Sequence, residues 1–462
     1  MYKKSIFIFR RDLRLYDNIG LIDALSASNE VIPIFIFTPE QLVNNKYKSD
    51  NAVQFMMESL EDLNKDLNKK KSRLHLFYGS PDDVISKLIK KYDINAVFAN
   101  MDYTPYSSLR DNSIKKICEH NKIEFIIHED ALLHPVRTIK NGSGNVYTKF
   151  TPYFRSASKV KPDKPKKITK NNFMRKGVKL DNEYTKDIHS FYTFNENIAV
   201  RGGRKYGLDI IKNIKRFKNY NKVRNDLSGS TTKLSAYIRF GCLSIREIYY
   251  KIRQVLGTKN DLIKQLFWRD FYYNVAYEYP HTVAPKKQSL KAKYDKIKWN
   301  YDKKNLNKWK EGKTGFPVVD AAMRELNKTG FMHNRGRLIV SSFLVKILRI
   351  DWREGDKYFS QKLVDHDSIV NTSNWQWAAG SGSDSQPFFR IFNPWLQGEH
   401  YDEKCEYIKK WIPELNNSVP VEDIHKWYET YAKHEHTKYP KPMCDYTENK
   451  ELALKMYKKA LY

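Results

Sequence analysis

The sequence predicts an α/β N-terminal domain on a doubly wound, Rossmann-like parallel sheet, followed by an all-α C-terminal domain. Three observations carry this. Five short apolar runs alternate with helical patterns in the first third of the 462 residues. From about residue 201 onward, apolar residues recur at three- and four-residue steps. All nine tryptophans lie between Trp268 and Trp427, so the two regions use aromatic side chains differently.

The candidate strands are "SIFIF" (5–9), "VIPIFIF" (31–37), "RLHLFYG" (73–79), "AVFAN" (96–100) and "EFIIHE" (124–129). Helical segments at 51–69 and 82–92 separate them, as in βαβ units whose sheet is covered on both faces. No GxGxxG follows a strand, so the usual dinucleotide fingerprint is absent. Ligands of such sheets bind at the carboxyl ends of the strands, which here carry "RRDLRLYDN" (10–18) and "NMDYTPYSSLRD" (100–111). The α/β domain is expected over 1–135 and an interdomain linker over 136–200. Within the linker, "KVKPDKPKKITKNN" (159–172) has little to bury and reads as a solvated connection. The helical domain is expected over 201–462, with helices at 236–256, 261–279, 315–330 and a buried one at 334–350.

Composition narrows the function classes. No run of 18 apolar residues exists, so no membrane span is expected. The first residues lack a signal-peptide cleavage pattern. Four widely spaced cysteines without a CxxC predict reduced thiols in an intracellular protein and no metal site. Lys and Arg exceed Asp and Glu by 82 − 53 = 29, a field that attracts polyanions such as nucleic acid.

Four stretches carry chemistry. "LSGSTTKLSAY" (227–237) places hydroxyls and Lys233 before Ser235 at the mouth of a helix. That arrangement suits either an anion or ordinary N-capping. "FMHNRGRLIV" (331–340) sets Asn334, Arg335 and Arg337 at the start of an apolar helix. A partly buried Arg337 there needs a carboxylate, and Asp365 and Asp367 are candidates. "KQLFWRDFYY" (264–273) puts Gln265, Trp268 and Arg269 on one helical face. A stacking plate beside a cation holds unpaired bases, although an aromatic core helix has the same pattern. "DHDSIVNTSNWQW" (365–377) packs acids, amides and two tryptophans into thirteen residues.

"TGFPVVDAAMRELNKTGFMHNRGR", "DWREG", "NWQWAAGSGSD", "FRIFNPWLQGEHYD" and "EYIKKWIPEL" together resemble the DNA photolyase/cryptochrome family, most closely its class I cyclobutane pyrimidine dimer photolyases. The resemblance runs from "FRRDLRLYDN" to beyond "WIPEL" and is dense from about 220 to 415. It implies an antenna domain, a helical domain holding FAD, and light-driven electron transfer from reduced FAD to a dimer flipped out of DNA. It also implies a monomer acting on DNA that contains pyrimidine dimers. A second, light-harvesting chromophore is left open, a deazaflavin or a folate. Tyr106 and Ser107 stand where folate binders carry an Asn-Glu pair.

Residue by residue, the resemblance places Tyr220, Thr231, Thr232, Lys233, Leu234 and Ser235 on FAD. Arg337 and Asp365 form an ion pair beside the flavin ring, Asp367 is a flavin-contacting acid, and Asn371 faces flavin N5. Trp268 and Trp377 bracket the dimer. Arg224, Asn334, Arg335 and Gln397 contact substrate or DNA backbone, and Arg269 is assigned to the DNA from its place beside Trp268 on the helical face. Trp375, Trp352 and Trp309 pass electrons between the protein surface and the flavin. Gln265 departs from the glutamate usual in dimer repair and matches the (6-4) photolyases. Those enzymes need a histidine pair, and here His333 precedes that pattern while Leu338 fills the second position. The alternatives are a (6-4) photolyase and a cryptochrome-type photoreceptor.

Overall fold

Five strands form one parallel sheet in the order β3-β2-β1-β4-β5. They are β1 (Tyr2–Phe9), β2 (Ser28–Phe37), β3 (His75–Tyr78), β4 (Ala96–Asn100) and β5 (Glu124–His128). The order turns outward on both sides of β1, as expected of a doubly wound sheet. Ile6, Ile8, Ile32, Ile34 and Val97 are fully or almost fully buried, which is why these strands read as near-continuous apolar runs. This computed structural model describes residues 1–416 and 418–462.

The chain divides into two units. One comprises Met1–Asn195, Val200–Lys218 and Thr232–Pro280; the other comprises Glu196–Ala199, Asn219–Thr231 and His281–Tyr462. In the first unit, helices Asp50–Lys69 and Pro81–Tyr92 lie where the periodicity puts them. The Lys-rich connection is exposed over most of 159–172 but is not loose. The Asp17 N–H donates to the Lys166 carbonyl and the Lys166 N–H to the Asp17 carboxylate. Phe173 then bridges β2 at Val31, and Met174 and Leu180 enter the sheet's core.

The helix expected over 236–256 is two helices, Ser235–Arg239 and Ile245–Leu256. Gly241 breaks it. Its φ is +62°, and a Cβ there would lie 2.1 Å from the Arg11 carbonyl oxygen. Ser244 and Glu247 restart the helix with a capping box.

The second unit is helical and its core is aromatic. Trp309, Trp352, Trp375, Phe343 and Phe359 share one buried cluster. The helix expected over 334–350 runs from Asn334 to Ser342 and then widens into a π-helical turn, Phe343–Ile347. Among the described residues, no helix is long and apolar enough to cross a membrane.

Candidate functional site

In the second unit the site is built around the Ser368–Ala379 helix. Asp367 caps it, its Oδ1 accepting the N–H groups of Ile369 (3.1 Å) and Val370 (3.2 Å). Gly380, at φ +85°, closes its other end. Just before the cap, both Asp365 oxygens accept from Arg337 Nη2, at 3.1 and 2.9 Å. Arg337 Nε also donates to the Met332 carbonyl at 3.0 Å, so the guanidinium is fixed in orientation. The Asp365 side chain is 5% exposed and that of Arg337 is 26% exposed, so the cation faces outward from its acid.

Asn371 follows one turn into the helix. Its Nδ2 donates to the Asp356 backbone carbonyl (3.2 Å) and to Asp356 Oδ1 (2.7 Å). Thr372 Oγ1 donates to the same carboxylate oxygen at 3.1 Å, and Lys287 is ion-paired with Oδ2. Asp356 is fully buried, and burial pushes its carboxyl above the usual range against the opposing pull of Lys287. The Asp356 carbonyl can only accept, and the carboxylate is paired with the Lys287 ammonium, so this network assigns the amide: N–H toward Asp356, Oδ1 as the end left to offer.

The two tryptophans of this helix have different surroundings. Trp375 is 2% exposed and lies edge-to-face against Trp309, with centroids 6.2 Å apart. It presses on Gly355, where a Cβ would sit 2.1 Å from its Cη2. Trp377 is half-buried and donates its Nε1–H to the Asp384 carbonyl at 3.1 Å. It lines a hollow with Ser342, Lys346, Gln386 and Arg390.

Trp309 does not suit the surface end of a tryptophan chain. It is 0% exposed, and its Nε1–H is bonded to the Val340 carbonyl at 3.1 Å. Trp299 has the missing property: it is half-buried and packs against the same aromatic cluster. The Asn300 N–H donates to the Arg349 carbonyl at 2.8 Å, setting residues 299–300 beside the segment that leads into Trp352. The sequence shows nine tryptophans but not which of them reach the surface, because exposure is decided by tertiary packing.

The basic positions of this unit cluster. Arg335 Nη2 donates to Asn225 Oδ1 at 2.8 Å, and its guanidinium lies 4.1 Å from the Tyr401 ring centroid. The positive field of Arg224 reaches it. Gln397 is one turn before Tyr401 on the Pro394–Tyr401 helix, and Asn334 is exposed next to Arg335. His333 is the N-cap of the Asn334–Ser342 helix, its Nδ1 accepting the Arg335 N–H at 3.1 Å. Burial, with Arg335 and Arg337 adding to it, lowers His333 from the ordinary 6.5 to about 4. Leu338 is half-buried.

In the first unit, Gln265, Trp268 and Arg269 lie on the half-buried face of the Asp261–Glu278 helix. Among the described residues, the Gln265 side chain makes one hydrogen bond, a long 3.5 Å one to the Asp261 carbonyl. Trp268 stacks face-to-face on Phe150, with centroids 3.6 Å apart and planes 7° from parallel, so one face of the indole is already taken. The spacing of "KQLFWRDFYY" carries no sign of Phe150. Arg269 donates to the Ala131 carbonyl (2.5 Å) and lies over the Tyr273 ring, so its guanidinium braces the fold and is not presented singly.

Thr232, Lys233, Leu234 and Ser235 belong to this unit; Tyr220 and Thr231 belong to the other. Lys233 has φ +51°, a sharp turn of the kind that aims successive N–H groups to one side. The helix that Ser235 opens is only five residues long, so its dipole adds little.

The chain matches two family models: FAD binding domain of DNA photolyase over residues 262–459, and DNA photolyase over residues 5–169. It is 35% identical to the deoxyribodipyrimidine photo-lyase of Buchnera aphidicola subsp. Acyrthosiphon pisum, over 99% of this chain and 97% of the relative. The archaeal photolyase of Sulfolobus tokodaii, solved with two FAD molecules, is 40% identical, with a TM-score of 0.89 over 99% of this chain and 100% of that one. The cryptochrome of Synechocystis sp. PCC6803 is 27% identical, with a TM-score of 0.89 over 99% of both chains. The protein belongs to the DNA photolyase/cryptochrome family.

Proposed function

We infer that the protein is a deoxyribodipyrimidine photo-lyase, repairing cyclobutane pyrimidine dimers in DNA under blue or near-ultraviolet light. The observation that carries this beyond the family is the Asn371 amide. With its N–H groups on Asp356, it offers a carbonyl oxygen and no transferable proton. Such an acceptor suits the N–H of a reduced flavin and favours repair over the signalling chemistry of a photoreceptor.

The residues present fit FAD. Arg337, braced by Asp365, and Asn371 would hold the flavin ring, with Asp367 at the same helix start. Tyr220, Thr231, Thr232, Lys233, Leu234 and Ser235 would hold the rest of the molecule. When bound, reduced FAD supplies the light-excited electron donor. Trp375 and Trp352 inside the aromatic cluster, with Trp299 at its half-buried edge, are the route for electrons between solvent and the site. The indoles for the lesion are Trp377 and Trp268, the latter offering the face not covered by Phe150. Arg224, Arg335, Asn334 and Gln397 hold the DNA around it.

A (6-4) reading has Gln265 in its favour. It lacks an acid: His333 has a low affinity for protons and its Nδ1 caps a helix, while Leu338 has no ionisable group. For a second chromophore, the two FAD molecules of the Sulfolobus tokodaii photolyase support a flavin beside the deazaflavin and folate alternatives. Purified protein should retain FAD and, once reduced, remove dimers from an oligonucleotide in blue light and not in the dark. Absence of any light-dependent loss overturns the reading.

A further inference from the structure

Taking the protein as a flavin-dependent repair enzyme, on which this inference rests, we propose that Lys287 is a positioning residue. By keeping Asp356 an acceptor-only carboxylate, it fixes which end of the Asn371 amide faces the flavin.

The contacts divide cleanly. Asp356 Oδ2 takes the Lys287 ammonium, and Oδ1 takes Asn371 Nδ2 (2.7 Å) and Thr372 Oγ1 (3.1 Å). The Asp356 carbonyl accepts from Asn371 Nδ2 as well, at 3.2 Å. Asp356 is 0% exposed, and a charge there persists only when paired. Without the ammonium, Asp356 binds a proton and its O–H can donate to Asn371 Oδ1. The amide can then turn over, giving up its longer bond to the Asp356 carbonyl, and offer N–H instead of C=O. The exchange matters because the two flavin states want opposite partners at N5. The reduced ring carries N5–H and needs an acceptor, whereas the oxidised ring has a bare N5 and needs a donor.

Lys287 is held in place for this. It adopts φ +44°, a conformation uncommon outside glycine, and its carbonyl accepts from Arg353 Nε at 2.9 Å. Its loop is pinned by Gln376, one turn after Thr372 on the same helix. Gln376 Nε2 donates to the carbonyls of Thr282 (3.1 Å) and Gln288 (3.3 Å), and its Oε1 accepts the Leu290 N–H at 3.0 Å. One helix thus carries both the amide and the side chain that anchors the lysine loop.

The test is the reduction potential of bound FAD in Lys287→Gln, Lys287→Met and Lys287→Arg, with thermal unfolding as the folding control. The neutral variants should lower the preference for reduced over oxidised FAD by about tenfold, or about 30 mV for a two-electron couple. Lys287→Arg should keep the wild-type value. In an Asn371→Ala background, Lys287→Gln should have no further effect. An unchanged potential in the folded neutral variants overturns the proposal. So does a shift that persists without Asn371, because Lys287 would then act through its charge alone. Should the lysine variants fail to fold, Asp356→Asn, which can pair with either end of the amide, should shift the potential in the same direction; no shift is again contrary. Wild-type protein that takes up no FAD overturns the underlying functional reading, and absorbance shows this before any variant is made.

Discussion

Two helices carry the tryptophans assigned to the lesion, and they support their chemistry-bearing amides and indoles differently. On Ser368–Ala379, fixed hydrogen bonds and buried charge set every direction: Asp367 on the helix N–H groups, Asp356 on Asn371, Gln376 on a neighbouring loop. On Asp261–Glu278, Trp268 rests on ring contacts with Phe150, Phe271 and Tyr272 and Gln265 on one long bond, Arg269 alone of the three being tied by a short bond to the Ala131 carbonyl. A cofactor whose electronic state must be tuned calls for the first kind of support. A base that arrives from outside and must be accommodated is served by the second, since stacking is strong but tolerant of small displacements.

The contrast breaks most visibly at Asp356. Asp356→Ala leaves the Lys287 ammonium and the Asn371 amide without their buried partner. It should cost about 3–5 kcal/mol in chemical denaturation. A loss below about 1 kcal/mol would mean that buried charge is not what holds the Ser368–Ala379 helix.

The aromatic side is tested by binding. Trp268→Ala and Trp377→Ala should each weaken affinity for dimer-containing DNA by about 1–3 kcal/mol, with undamaged DNA hardly affected. Phe150→Leu should give a smaller loss, of about 0.5–1.5 kcal/mol, by removing the stack beneath Trp268. Equal losses on damaged and undamaged DNA would assign these rings to general packing.

His333 sharpens the comparison through pH. Its folded affinity for protons is depressed, to about 4 from the ordinary 6.5, by burial and by Arg335 and Arg337. The unfolded chain therefore binds more protons in between. The contribution is fully present above about pH 6.5 and is lost as pH falls toward about 4. His333→Asn, which can still cap the helix, should flatten the stability profile across that window. An unaltered profile would show that His333 is not the group responsible.

The smallest effect on affinity is expected at Gln265. Gln265→Glu restores the residue usual in dimer repair, so dimer binding should stay within about twofold while repair per absorbed photon rises. A fall in repair with unchanged binding would show that this site is adapted to the neutral amide.

Much of this was legible in the sequence, and the exceptions share a cause. Strands β1, β2 and β4 follow from uninterrupted apolar runs, and the Asp261–Glu278 helix from its three- and four-residue spacing. The break at Gly241 was not legible, because the apolar spacing continues across it and the obstacle is the carbonyl of distant Arg11. A carboxylate partner for Arg337 was foreseeable from an arginine opening an apolar helix, while the choice of Asp365 over Asp367 came from the family resemblance. Lys287, Asp356 and Phe150 were not, since each acquires its role only when segments far apart in the chain are brought together. Trp309, fully buried, shows the same: sequence supplies the residue type and packing decides which indole has a surface.

One measurement bears most directly on the function. Ultraviolet-irradiated DNA carrying both cyclobutane dimers and (6-4) products is mixed with the reduced protein, illuminated with blue light, and both lesions are counted against a dark control. The cyclobutane dimers should disappear in the light alone while the (6-4) products remain. Persistence of the dimers in light, or loss of the (6-4) products in their place, would contradict the assignment.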